Sequence, residues 1–62
     1  MLTKFMESID TLNRYGVPYR IFINSNAEIV IRYNEYGKDY TDEVFDSVGN
    51  LIRTIETFKG GM

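Results

Sequence analysis

Cysteine and histidine are both missing from this chain of 62 residues, and each absence removes a class of chemistry. Without cysteine there is no disulfide, no thiol nucleophile and no zinc ribbon, which fits the reducing cytoplasm of a host cell. Without histidine the chain lacks the commonest general base and the commonest metal ligand. Ser8, Ser25 and Ser47 therefore have no obvious activating partner, and Lys4, Lys38 and Lys59 sit at polar or terminal positions rather than in apolar runs. Gly37, Gly49, Gly60 and Gly61 do not fall at the spacings of a phosphate-cradling loop. No run of eighteen apolar residues occurs, so a membrane span is not expected. Met1 to Glu7 meets a carboxylate before any apolar run develops, so a signal peptide is not expected either. These absences point to a non-enzymatic protein with no cofactor.

What is present is a hydrophobic content of 44% and a charged content of 26%, enough for a single domain over residues 1–62 with one thin core layer. The net charge of −2 hides a polarised distribution. Between Glu35 and Asp46 stand Glu35, Asp39, Asp42, Glu43 and Asp46 against Lys38 alone, while the rest of the chain is net positive.

The first segment carries a helical stripe, Leu2, Phe5, Met6, Ile9 and Leu12. Thr3 is placed to cap its start. Gly16 is placed to close it in the left-handed conformation, with Val17 returning onto Leu12 and Pro18 forbidding continuation. The period then falls to two. Tyr19, Ile21 and Ile23 alternate with Arg20 and Phe22, and Ile29, Ile31 and Tyr33 alternate with Val30 and Arg32. Between them Asn24-Ser25-Asn26-Ala27 reads as a turn, with the asparagines able to take positive φ, so the pair is a hairpin. Asn34 to Gly37 reads as a second turn, followed by a short edge strand from Lys38 to about Asp42.

The last third supports two readings. Val44, Phe45, Val48, Leu51, Ile52, Ile55 and Phe58 fall on a helical stripe, with Thr41 as cap, carboxylates in the first turn and Arg53, Lys59, Gly60 and Gly61 toward the end. Against this, Ser47-Val48-Gly49-Asn50 resembles a turn between two strands. Burying a large side chain is worth roughly 1.5–3 kcal/mol, more than the roughly 1 kcal/mol that a helical glycine costs. That comparison favours a helix from about Thr41 to Lys59. The expected fold is α+β in the order α-β-β-β-α, a three-stranded antiparallel meander with two helices on the face of Tyr19, Ile21, Ile23, Ile29, Ile31 and Tyr33. The other face, with Arg20, Phe22, Val30 and Arg32, is left open as a secondary contact surface.

Asp39, Asp42, Glu43 and Asp46 do not have the spacing of a calcium loop, and a helix start accounts for them without metal. The element order is also that of double-stranded RNA-binding domains. Those domains place lysines at the start of the second helix, where this chain has Thr41-Asp42-Glu43-Val44-Phe45-Asp46, and carboxylates there repel phosphate. Only Arg20 and Arg32 speak for a nucleic-acid partner.

The run Ile29-Val30-Ile31-Arg32-Tyr33-Asn34-Glu35-Tyr36-Gly37-Lys38-Asp39-Tyr40 has an apolar strand ending in arginine, a polar glycine turn and a tyrosine-bearing third strand, with acidic residues following. In this it resembles the small phage-encoded anti-CRISPR proteins that inhibit type II-A effector nucleases, although the chain is shorter, with one helix after the sheet and fewer carboxylates. The resemblance implies an inhibitor whose carboxylates occupy a basic, DNA-reading pocket on a nuclease. On that reading Glu35, Asp39, Asp42, Glu43 and Asp46 mimic phosphate, and Tyr36 and Tyr40 supply rigid contact area. The alternative is an accessory domain that forms a homodimer through the Phe22 and Val30 face.

Overall fold

The computed structural model describes residues 3–58, so Leu2, Lys59, Gly60 and Gly61 lie outside the described residues. It has one helix, α1 (Lys4–Arg14), followed by four strands, β1 (Tyr19–Ile23), β2 (Ile29–Tyr36), β3 (Asp39–Phe45) and β4 (Leu51–Thr57). The strands form one antiparallel sheet in the order β1-β2-β3-β4. The described residues are α+β, with one helix packed on a four-stranded meander.

The ends of α1 are formed by the residues the sequence marks. The Thr3 hydroxyl accepts from the Met6 amide at 3.2 Å. Gly16 has φ 68, its amide donates to the Asn13 carbonyl at 3.2 Å, and the Val17 amide donates to the Leu12 carbonyl at 2.9 Å. These two bonds are the Schellman closure, which satisfies carbonyls that the helix leaves unpaired. The β1–β2 hairpin also forms as expected, with Ile21 opposite Ile31 and Phe22 opposite Val30. Its turn is held by the Asn24 carboxamide oxygen, which accepts from the Asn26 and Glu28 amides at 3.0 Å. Positive φ falls on Ala27 and, farther along, on Asn34, not on Asn24 or Asn26. Gly37, with φ 60, takes the first central position of the two-residue turn between Tyr36 and Asp39.

The expected second helix is absent. Thr41 to Phe45 belongs to β3, residues 46–50 form a turn, and Leu51–Thr57 is a fourth strand. The third strand is accordingly internal, not a short edge strand ending near Asp42. Extending β3 to Phe45 sets Val44 opposite Val30 and Phe45 opposite Ile29. A helix beginning at Thr41 would have left both β2 residues paired on the β1 side alone. The turn is also favourable in itself. Asp46 Oδ1 accepts from the amides of Val48 at 3.0 Å and Asn50 at 2.9 Å, and Gly49 has the φ of 89 that residues with a Cβ avoid.

The core lies between α1 and the middle of the sheet. Leu12, Ile31 and Phe45 are buried, with Phe5, Ile9, Val17, Tyr19, Ile29 and Tyr33 packed around them. The Phe5 and Phe45 rings meet edge-on, with centroids 5.3 Å apart. One helix is too narrow to cover the whole face, so Ile21 and Ile23, expected in the core, are exposed on β1.

Candidate protein-interaction surface

A strand turns successive side chains to opposite faces, so the acidic block does not form one surface. Asp42 shares the open face with Arg32, its cross-strand partner. Glu43 shares the helix-covered face with Ile31. The carboxylates expected to meet a partner are engaged within this chain. Glu35 makes a two-pronged bond to Arg20, at 2.8 and 3.0 Å. Asp42, only 7% exposed, does the same with Arg32, at 2.7 and 2.9 Å. Glu43 accepts from the Tyr33 hydroxyl at 2.7 Å. Asp46 closes its own turn, and the Asn50 amide above all holds its carboxyl below the usual carboxylate range. Asp39 begins β3 opposite Tyr36, whose ring is exposed. No three of the described acidic residues converge on a point where a metal ion would sit.

On the open face Arg20 pairs across the strands with Arg32, two like charges that are tolerated because each has its own carboxylate. The Arg32 guanidinium lies 3.8 Å from the Tyr40 ring centroid and 5.0 Å from that of Phe22. Tyr40 is thus an internal stacking partner, and the bond to Asp42 raises the Arg32 pKa against the opposing effect of burial. Beside it runs the row Phe22, Val30, Val44 and Arg53, in register across all four strands. Arg53 reaches back to Glu28, at 2.9 and 3.2 Å, and this bond is the main reason the Glu28 carboxyl is depressed. Val30 and Val44 are each 2% exposed although no helix lies over them. Flattened arginine stems and aromatic rings finish this face.

The unsatisfied surface lies elsewhere. Val48, Leu51, Ile52, Ile55 and Phe58, counted as a buried stripe in the sequence, are 39–74% exposed. They follow one another along the β3–β4 turn, β4 and its end. Among the described residues β4 pairs with β3 alone, and the backbone groups along its other edge have no partner strand there. Exposed edges are ordinarily protected by lysine, proline or inward charge. β4 contains neither lysine nor proline, its arginine is tied to Glu28, and Glu56 near its end is its one other charged residue. Opposite Val44 and Phe45 the strand carries a one-residue irregularity at Ile52. Sequence reasoning missed this surface because the same residues also fit a helical period. The signal that finds it is the turn of Asp46 to Asn50 together with β-branched Ile52, Thr54, Ile55 and Thr57.

No protein family, curated protein or solved structure matches this chain.

Proposed function

We propose that this is a small non-enzymatic protein-interaction module, acting in the cytoplasm of a host cell, that binds an extended segment of a partner protein along the outer edge of β4. The observation that carries the reading is the exposed edge of Leu51–Thr57, whose apolar side chains Leu51, Ile52 and Ile55 keep 39–46% exposure. Strand addition supplies backbone hydrogen bonds along the edge, and alternating side chains supply selectivity. The inhibitor reading suggested by the resemblance to anti-CRISPR proteins is retained in a coarser form, as a protein that acts by binding another protein. Its acidic, phosphate-mimicking surface receives less support, because Glu35, Asp42, Glu43 and Asp46 already have partners.

The test is affinity capture with the tagged chain and with Ile52→Lys/Ile55→Lys, together with sedimentation of both and a DNA-cleavage assay of a type II-A effector nuclease. A partner held by the wild type and lost by an equally folded double variant is expected. Self-association lost in the variant would make a second copy the occupant. A partner or inhibition retained by the variant would overturn the edge reading.

A further inference from the structure

Apart from the β4 edge, one buried side-chain polar atom among the described residues has no partner. Oε1 of Glu43 is buried without a hydrogen bond, while Oε2 of the same carboxylate accepts from Tyr33. A carboxylate oxygen left in this state costs more than almost any other unpaired group, so it calls for a donor. Glu43 and Tyr33 line a cavity of about 460 Å³ beside α1. The helix contributes Ser8 and Thr11, and Leu12 and Leu51 contribute apolar wall. Its size is that of small-ligand sites, and it is an open groove in which apolar Leu12, Val17 and Leu51 stand among several polar groups.

The chemistry of the occupant follows from the donor it must supply. Tyr33 already gives its proton to Oε2 and is held well above the ordinary tyrosine range by burial first and by that bond second, so it stays a donor and offers nothing to Oε1. A guanidinium fork gains most from two carboxylate oxygens, as Arg32 and Arg20 find at Asp42 and Glu35. Glu43 has one oxygen to give. A primary ammonium is a point charge with three donors, enough for Oε1 and for hydroxyls such as those of Ser8 and Thr11. Lys4 and Glu7 also line the cavity, but the Lys4 ammonium lies 3.7 Å from Glu7.

We propose that the cavity between α1 and the sheet is a receptor for a primary ammonium group on an apolar stem, with Glu43 as its counter-ion. Oε1 is shielded in this structure, so an ammonium reaches it once the Glu43 side chain turns toward the cavity and Tyr33 follows or releases Oε2. Such a group is carried either by a free alkylamine or by a lysine side chain of a protein. The site shares Leu51 with β4 but none of Ile52 to Thr57, so either reading can fail without the other.

Amide-resolved NMR titration with 1,4-diaminobutane and, separately, with Nα-acetyl-lysine N-methylamide tests it. Shifts centred on Ser8, Thr11, Tyr33 and Leu51 are expected, and Glu43→Gln, which keeps an acceptor for Tyr33, should weaken binding tenfold or more. Tighter binding of the blocked lysine assigns the site to a protein side chain, and tighter binding of the diamine assigns it to a free amine. Thr11→Val, on the exposed helix surface, should weaken binding about threefold and serves if Glu43→Gln does not fold. Three results would overturn the proposal. One is the absence of localised shifts. Another is equal affinity in Glu43→Gln or, where that variant does not fold, in Thr11→Val. The third is binding seen only in Lys4→Met, which would make Lys4 the natural occupant.

Discussion

The carbonyl of Gly49 accepts from the amide of Phe5 at 3.0 Å, joining the β3–β4 turn to the first turn of α1. The helix start therefore has two caps, Thr3 from its own chain end and Gly49 from a turn far along the sequence. Gly49 is buried, and a Cβ built on it would stand 2.9 Å from Cβ and Oγ1 of Thr3.

Gly49→Ala is accordingly expected to destabilise. The φ of 89 and the Thr3 contact act in the same direction, for a loss of about 2–3 kcal/mol. In a helix interior the same change would stabilise by up to about 1 kcal/mol. Thermal or urea unfolding of the variant decides between the two, and a gain in stability would restore the helical reading of residues 41–59.

Arg32 and Asp42 form the second structural tie, bonded across adjacent strands with Arg32 stacked on Tyr40. Removing either partner alone leaves a mostly buried charge uncompensated. Asp42→Ala or Arg32→Met should cost about 2 kcal/mol, less than in a fully buried pair because the Arg32 side chain keeps 24% exposure. The double variant Arg32→Leu/Asp42→Leu should recover most of that loss, since two apolar residues leave no charge behind. A double-mutant cycle by urea denaturation measures the coupling, and additive losses would show that the pair contributes nothing.

Much of the fold can be read from local signals. Thr3, Gly16 and Val17 define α1, and the alternation through Tyr19–Tyr33 defines the hairpin and its facing, because capping and period-two patterning act over a few residues. The last third fails that test. Val44, Phe45, Val48, Leu51, Ile52, Ile55 and Phe58 satisfy a helical period by spacing alone, and the deciding contacts are distant. Val30 and Ile29 need Val44 and Phe45 across the sheet, and Phe5 needs the Gly49 carbonyl. The acidic block was visible, but its partners were not. Arg20, Arg32 and Tyr33 reach Glu35, Asp42 and Glu43 only once β2 is paired on both sides.

Tyr33 gives a prediction in alkali. Burial, then its bond to Glu43, raises its pKa above the unfolded value near 10. Because the folded value is the higher one, the stability this tyrosine contributes is complete below pH 10 and is lost as pH rises through the folded value. Phenolate absorbance should show one late step that coincides with unfolding by circular dichroism, and Tyr33→Phe should remove it.

In acid the sign reverses. Glu28 is depressed first by Arg53 and then by Asn24, and Asp46 is depressed first by the Asn50 amide. Their stabilising effect is present above the ordinary values of 4.5 and 3.8 and is lost as pH falls through the folded ones. The melting temperature of the wild type should fall through this range. Arg53→Met should flatten the Glu28 part of that fall, and an unchanged profile would deny the Glu28–Arg53 tie.

Glu35 separates the acidic-surface reading from the edge reading. Its pair with Arg20 is exposed on both sides, 61% and 41%, so Glu35→Lys should shift stability by less than about 1 kcal/mol even though it places a second cation beside Arg20. A phosphate-mimicking surface depends on this charge, and its reversal would slow association with a basic pocket and do so most at low salt. Strand addition at β4 does not depend on it, because Glu35 lies near the end of β2, and β1 and β3, not β4, pair with that strand. Partner binding by Glu35→Lys, measured by surface plasmon resonance at two salt concentrations, should equal that of the wild type. A fall in association rate of tenfold or more at low salt, with melting unchanged, would return the binding surface to the Glu35–Asp46 block.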